Sequence, residues 1–315
     1  SASQDIVADA YRTDILPPAE LGAGAAIFVM GYRVAMIVSG AGALFLAARF
    51  GWPAAYGLMA VLMGLGVAAT FFAPEPSNAT APVSLKDAVW EPPRQFFGSR
   101  GVIAALYVLV FILLFKLPDV LCNAMTMPFL IKDLGYTPNQ IGAIRQFIGF
   151  FIVIVGALGG GIVVSRIGVI RSLWIFGVLQ ALSNAGFWLL ANIGNDRAVF
   201  QTIDWSAGTF TLHMTLTRGL AWLIGVIAVE SLCAGLVTAG FVAFLMSQCD
   251  RRFSAFQYAI LSAVTAATIP LFGSLTGFLV DKVGYAQFFL LTILFAVPGM
   301  ALLPWLKEKK EAAIS

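Results

Sequence analysis

Five charged side chains lie inside apolar stretches of this sequence: Arg33, Lys116, Asp119, Arg145 and Glu230. A charge at the middle of a membrane-spanning helix costs roughly 2.5–3.5 kcal/mol on insertion scales. A chain that keeps several such charges must turn them away from lipid, toward one another, toward water or toward a polar ligand. The pattern therefore predicts a membrane protein that carries a polar solute.

Lys116 and Asp119 are three residues apart and share one helix face, and Asn123 continues that face. Pro118 between them and Pro128 beyond them would loosen the helix backbone. A Lys–Asp pair beside a helix irregularity is a candidate for solute binding by Lys116 and Asn123, and for proton coupling by Asp119. The alternative is a structural ion pair that only makes the helix compatible with its bundle.

Glu230 stands alone near the middle of its apolar stretch, so it is a candidate proton carrier; the alternative is a hydrogen-bonded structural carboxyl group. Arg33 cannot lose its charge. It could bind a carboxylate of the solute, or form a salt bridge with Asp5, Asp9 or Glu230. Arg145 lies about one turn from the outer end of its helix. It could bind the solute or extend its guanidinium group to the membrane surface.

Asp5 and Asp9 are four residues apart, so two like charges share one helix face. The pair could favour protonation of one member, which makes both residues candidates for proton coupling. Alternatively, the carboxylates bind Arg12 or Arg33. Because Asp9 is close to a predicted cytoplasmic loop, the structural role is slightly favoured for it.

Histidine and cysteine are too sparse for a metal centre. The chain has one histidine, His213, in a predicted outer loop over 193–218, and its three cysteines form no CxxC motif. A membrane hydrolase would need metal ligands or a nucleophile with its base. The sequence therefore predicts no metal, no cofactor and no enzymatic activity.

The composition is that of a protein built for lipid, with 60% hydrophobic residues, 11% charged residues and a mean hydropathy of +0.90. The net charge of +3 is too small to indicate nucleic-acid binding. About 20 apolar residues are needed to cross the hydrocarbon core. Eight segments satisfy this length: 22–48, 53–73, 101–130, 140–164, 172–192, 219–246, 257–280 and 286–306. A partial helix ending near Tyr11 would be a ninth.

Most lysines and arginines of the predicted loops fall on the side that holds the 12–21, 165–171 and 247–256 loops and the C-terminus, which predicts that this side is cytoplasmic. The proline-rich segment 74–100 separates two apolar blocks and is predicted to be a cytoplasmic linker containing a short surface helix over 85–97. The predicted organisation is a remainder of an N-terminal half (1–73), the linker (74–100), a C-terminal six-helix half (101–306) and a cytoplasmic tail (307–315).

Two six-helix halves joined by a cytoplasmic linker are the plan of the major facilitator fold. On that plan, segments 22–48 and 257–280 are helices five and eleven. The chain then begins late in helix four and runs through helix twelve, and we expect further helices upstream. The predicted fold class is an all-α polytopic membrane protein.

Several stretches, in the right order along nearly the whole chain, resemble the AmpG-type muropeptide permeases of Gram-negative bacteria. They are SASQDIV (1–7) with Asp9 and Ala10, GAGAAI (22–27), GYR (31–33), APEP (73–76), Lys116 and Leu117 with Asp119, SNAG (183–186), Glu230 with Leu232 and Cys233, and FSA (253–255) with Gln257. The resemblance implies proton-driven import of anhydromuropeptides across the inner membrane, for peptidoglycan recycling and for the signal that induces β-lactamase. Arg145 stands where this family has a lysine. The alternatives are a facilitator for another bulky anion, such as an acyl-CoA, and a membrane protein that is not a transporter.

Overall fold

The fold is almost entirely helical. A computed structural model describes residues 2–75, 85–207, 210–250 and 253–306. The part before the linker contains α1 (Ala2–Ile15), a 3₁₀ turn (Pro18–Glu20), α2 (Leu21–Ile37), a π-helical segment (Val38–Gly42), α3 (Ala43–Phe50) and α4 (Trp52–Phe72). The predicted tail 307–315 and residues 76–84 of the predicted linker lie outside the described residues.

The rest of the chain begins with α5 (Leu85–Arg100). The elements that follow are α6 (Val102–Pro128), a π segment (Phe129–Asp133), α7 (Pro138–Ala143), a π segment (Ile144–Gly149), α8 (Phe150–Ile167), α9 (Val169–Ile193), β1 (Val199–Ala207), β2 (Phe210–Thr217), α10 (Arg218–Gln248), α11 (Ser254–Leu302) and a 3₁₀ turn (Leu303–Trp305).

The predicted membrane spans are found as helices. Within the described residues, seven helical stretches are long and apolar enough to cross a membrane. Six of them each correspond to one predicted segment, to within one residue at the ends where the segment extends beyond the helix. The seventh, Ser254–Trp305, is 52 residues long and corresponds to the last two predicted segments. Gly284, with φ of 78°, is the one residue inside α11 with a non-helical backbone, and it separates those two segments.

The segment predicted as a long outer loop, 193–218, instead forms an antiparallel hairpin of β1 and β2, with Thr202 paired with Thr215 and Trp205 with Leu212. Threonine, valine and aromatic residues, which favour strands, are frequent in both strands. His213 therefore lies on a strand and not in a loop. Thr217 ends the hairpin and caps α10, since its side chain accepts a hydrogen bond from the backbone N–H of Leu220.

Glycines allow the helices around the centre to approach closely. A Cβ atom at Gly156 would overlap the backbone oxygen of Leu232, and one at Gly160 would lie 3.0 Å from the same atom of Leu236, so α8 packs directly on the backbone of α10. Gly273 and Gly277 have the same spacing as Gly156 and Gly160, but no atom lies within 4 Å of a Cβ placed at either residue. Gly273 lines a cavity instead.

Among the described residues, two large apolar clusters lie on either side of a polar level, which is formed by Lys116, Asp119 and Glu230. One contains Phe115 and Phe241, whose rings stack with centroids 5.8 Å apart, and the other contains Leu117 and Ile227. Helices α6 and α10 each pass from one cluster to the other. The charged residues of these two helices lie at the crossing, which is where a solute site must be built.

Candidate functional site

The Lys116–Asp119 pair lies on α6 beside an irregularity. Pro118 has no backbone N–H, so the carbonyl oxygen of Leu114 lacks its helical hydrogen bond. Helix α11 packs against this point through Gly299, where a Cβ atom would lie 2.9 Å from the same carbonyl group. The proline and the glycine thus bring α6 and α11 together just below the charged pair.

The contact between the charged groups of Lys116 and Asp119 is long. Lys116 Nζ lies 3.4 Å from Asp119 Oδ2, longer than the 2.7–2.9 Å (approximate) typical of a charge-assisted hydrogen bond. The ammonium group also lies 5.0 Å from the centroid of the Phe241 ring. Asn123 donates a hydrogen bond of 2.9 Å from Nδ2 to the backbone oxygen of Asp119, so its amide is only partly used by the helix. Lys116 can therefore exchange Asp119 for another anion at modest cost.

A cavity of about 700 Å³ lies in front of this pair. Its volume is in the range of sites for ligands of drug size, about 300–1,000 Å³. Lys116, Asp119 and Asn123 line it from α6, and the other polar lining residues are Thr238 of α10 and Tyr258, Ser262 and Thr265 of α11. Hydroxyl groups and one ion pair on an otherwise apolar wall suit a polar solute that carries charge.

A second set of charges surrounds Glu230 of α10. Asp119, Arg145 and Arg33 are the charged residues that act electrostatically on Glu230, and they come from three other parts of the chain. Arg145 lies in the π segment Ile144–Gly149, and π segments inside helices are frequent at functional sites. In the part of the chain that the structure describes, Glu230, Arg33 and Arg145 form no direct ion pair. They interact at longer range and are free to accept other partners.

The set of charged residues formed by Arg33, Lys116, Asp119, Arg145 and Glu230 has an excess of positive charge. Arg33, Lys116 and Arg145 supply three cations against the two carboxylates of Asp119 and Glu230. With both carboxylates ionised the formal charge is +1, and each protonation raises it by one. The Nε atom of Arg33 is buried without a hydrogen-bond partner among the described residues, which leaves it a donor for an anion. The electrostatics of the site therefore favour an anionic solute.

Comparison with known proteins decides the family. The family model for the Major Facilitator Superfamily matches residues 1–212. The chain belongs to the major facilitator superfamily. The predicted fold class is thereby confirmed, and the protein is a multi-pass membrane transporter.

Individual relatives of this facilitator cover nearly all of the chain. An anhydromuropeptide permease of Escherichia coli strain K12 is 41% identical over 305 residues, which are 96% of this chain and 57% of that protein. An uncharacterized protein of Haemophilus influenzae is 33% identical over 99% of this chain and 70% of its own length. A putative transporter of Rickettsia conorii, AmpG 1, is 27% identical over 98% of this chain and 72% of its own length. The chain thus spans a little more than half the length of the E. coli relative.

The remaining predicted site residues of the facilitator lie elsewhere. Asp9 Oδ1 forms a 2.8 Å ion pair with Arg12, and Arg12 also donates a 2.9 Å hydrogen bond to the hydroxyl oxygen of Tyr258 and lies 3.8 Å over the Phe28 ring. This is the structural alternative stated above for Asp9. Asp5 is exposed. Neither carboxylate belongs to the set around Glu230, and their part in proton coupling stays a prediction.

Sequence reasoning missed the polar residues on the other helices. Tyr258, Ser262 and Thr265 are spaced four and three residues apart, so they share one face of α11. That spacing was visible in the sequence, but hydroxyl groups are common in membrane helices and give a weak signal. Gln180 and Asn184 of α9 are four apart and buried, and they too were detectable only as polar interruptions of an apolar stretch.

Proposed function

We propose that this facilitator imports anhydromuropeptides, that is N-acetylglucosaminyl-1,6-anhydro-N-acetylmuramyl peptides, across the bacterial inner membrane together with protons. The observation that carries the proposal is the Lys116–Asp119 pair on the wall of the 700 Å³ cavity, in a chain 41% identical to an anhydromuropeptide permease. The imported compounds would serve peptidoglycan recycling and the induction of β-lactamase.

The chemistry of the cavity suits such a solute. A muropeptide carries peptide carboxylates and many sugar hydroxyl groups. The carboxylates would bind Lys116, Arg33 or Arg145, since these cations outnumber the carboxylates around them. The hydroxyl groups would bind Asn123 and the side chains of the α11 face. Phe241, which already contacts the ammonium group of Lys116, offers an aromatic surface to a sugar ring.

Proton coupling follows from competition for Lys116. While Asp119 is ionised, it holds Lys116 at 3.4 Å. A proton on Asp119 removes that attraction and frees Lys116 for a carboxylate of the solute. Proton and solute therefore bind together, which is the requirement for symport. Glu230 is a second carboxyl group within electrostatic range of Asp119 and would influence the protonation of Asp119.

The proposed orientation places the C-terminus and the 74–100 linker in the cytoplasm, and places the remainder of the N-terminal half, 1–73, and the C-terminal half, 101–306, on either side of the solute. The contact between Arg12 and Tyr258 joins two segments predicted to lie near the cytoplasmic surface. Helix α5 of the linker contacts the same side, since Gln95 Nε2 donates a 2.7 Å hydrogen bond to Asp250. Transport would proceed by rocking of the halves around the cavity.

Uptake into membrane vesicles tests the proposal. Labelled anhydromuropeptide is offered to right-side-out and inverted vesicles that contain the full-length protein, with and without an imposed pH gradient. Accumulation in the import direction that depends on the gradient is the expected result. Absence of uptake by correctly inserted protein, or competition by an acyl-CoA but not by unlabelled muropeptide, would contradict the proposed substrate.

A further inference from the structure

A second, much smaller cavity lies behind Asp119. It has a volume of about 10 Å³, enough for one water molecule. Asp119 of α6 lines both cavities, so its carboxyl group forms part of the wall between them. Gln180 of α9 lines the small cavity, and the rest of its wall is made mostly of apolar residues such as Phe115, Val237 and Met300.

Two oxygen atoms of these residues lack partners. Asp119 Oδ2 faces Lys116, but Asp119 Oδ1 is buried with no hydrogen-bond partner in the described residues. Gln180 is only 5% exposed, and its Oε1 is likewise buried without a partner there. Both atoms are acceptors, so they cannot satisfy each other. A buried acceptor without a hydrogen bond lowers the stability of the folded protein, and a group that donates a hydrogen bond to both oxygens would remove this penalty.

We propose that this cavity holds one water molecule that donates hydrogen bonds to Asp119 Oδ1 and to Gln180 Oε1, and that Gln180 is thereby a positioning residue for the proton-binding carboxyl group. Water has two donor hydrogens, which match the two acceptors in number. Wholly apolar cavities of proteins stay dry, but a cavity with two unsatisfied oxygens does not. The part of the inference that concerns coupling rests on the proposed function.

The water would stabilise ionised Asp119 and fix its orientation toward Lys116. The other charged or titratable groups near Asp119 are Lys116 on α6, Glu230 and Cys233 on α10 and Cys122 on α6, with Arg145 and Arg33 acting through Glu230. Among the described residues that line the small cavity from α9 and α11 none is charged. Gln180 is thus the residue of α9 through which that helix can influence the proton.

Infrared difference spectroscopy of the purified protein in lipid tests the water without any need for transport. The spectra compare high and low pH in ordinary water and in water labelled with oxygen-18, and the Asp119→Asn variant identifies the carboxyl band. The wild type should show an isotope-sensitive water band that changes together with the Asp119 band. The band should be lost in Gln180→Met, which keeps the size but not the acceptor, and kept in Gln180→Asn, which retains an acceptor and leaves room for the water.

Asn184→Leu is the matched control, because Asn184 is also buried on α9 but donates to Thr292 and does not line the cavity. It should leave the water band and the Asp119 band unchanged. If uptake is confirmed, Gln180→Met should also move the pH midpoint of uptake upward by about one unit, the effect of losing one hydrogen bond to a charged group. A wild type without an isotope-sensitive band, or a band that persists in Gln180→Met, would overturn the inference even if the protein transports muropeptides. A spectrum as expected in a protein that transports no muropeptide would instead refute only the proposed function.

Discussion

The competition between Asp119 and the solute for Lys116 predicts an uncommon result: replacing a binding-site residue should tighten binding. In Asp119→Asn the amide keeps the shape of the carboxyl group but no longer attracts the ammonium group. Since no carboxylate then competes for Lys116, the variant should bind anhydromuropeptide more strongly than the wild type at pH 8. Its binding should also lose most of the pH dependence of the wild type.

The magnitude follows from the geometry of the pair. Two unit charges 3.4 Å apart interact by about 5 kcal/mol at an effective dielectric constant of 20. The distance is long and the two side chains are 18% and 17% exposed, and desolvation offsets much of the attraction. A net gain of about 1–2 kcal/mol remains, which is roughly a 5–30-fold lower Kd.

Calorimetric titration of the purified protein with anhydromuropeptide at pH 6 and pH 8 measures this effect, and uptake with an imposed pH gradient measures coupling. Asp119→Asn should bind tightly at both pH values, yet it should equilibrate the solute without accumulating it. Asp281→Asn is the control, because it makes the same chemical change in a residue that does not line the cavity. Weaker binding of Asp119→Asn at pH 8, or accumulation driven by the gradient, would refute the competition.

Three further results are expected. Gly156→Val should lower the melting temperature by several degrees relative to Gly225→Ala. A Cβ atom at residue 156 would overlap the backbone of α10, whereas a Cβ atom at residue 225 meets no atom within 4 Å. Equal melting temperatures of the two variants would contradict the close packing of α8 on α10. Tyr258→Phe removes one of the hydrogen bonds that hold Arg12, which joins two segments predicted to lie near the cytoplasmic surface. The variant should therefore speed labelling of a cysteine placed at that end of the cavity, and unchanged labelling would show that the Arg12–Tyr258 contact does not limit access there. Burial raises the pKa of the Tyr136 phenol, in the loop before α7, above its ordinary value of 10.0. The stability that the neutral phenol contributes is therefore fully present below pH 10 and is lost as the pH rises through the higher pKa of the folded state. Tyr136→Phe should reduce this alkaline loss of stability in denaturation curves measured at increasing pH, and an unchanged loss would contradict the prediction.

The membrane spans and the residues of the polar level could be predicted from the sequence because their physical signal is local. A run of apolar residues must cross lipid, and a charge within it must be turned inward, so Lys116, Asp119 and Glu230 could be recognised without any structure. The grouping of these charges could not be obtained in this way. Arg33 and Arg145 are more than a hundred residues apart, and only the packing of α2 and of the π segment Ile144–Gly149 on α10 brings both within range of Glu230.

The errors of prediction have the same origin. Gly156 and Gly273 have the same spacing to a second glycine, but one packs on a neighbouring helix and the other lines a cavity, and spacing alone does not distinguish a helix contact from an open wall. The hairpin was missed because the 193–218 segment was treated only as a connection, although its threonine-rich and aromatic composition favours strands. Gln180 was overlooked since its importance depends on the unpaired Asp119 oxygen across the same cavity.

In the proposed transport cycle, the division of the charges between permanent cations and carboxyl groups would account for the direction of transport. Guanidinium groups, such as those of Arg33 and Arg145, are permanent cations in proteins, whereas carboxyl groups, such as those of Asp119 and Glu230, are the groups that can exchange a proton. With the cavity open to the acidic side of the membrane, protonation would raise the formal charge of the set from +1 toward +3 and free Lys116, so an anionic solute would bind strongly. With the cavity open to the less acidic cytoplasm, loss of these protons would let Asp119 recover Lys116 from the solute. On this proposal the same five residues would bind the solute on one side and release it on the other, which requires an ion pair that can open, such as the 3.4 Å contact of Lys116 with Asp119.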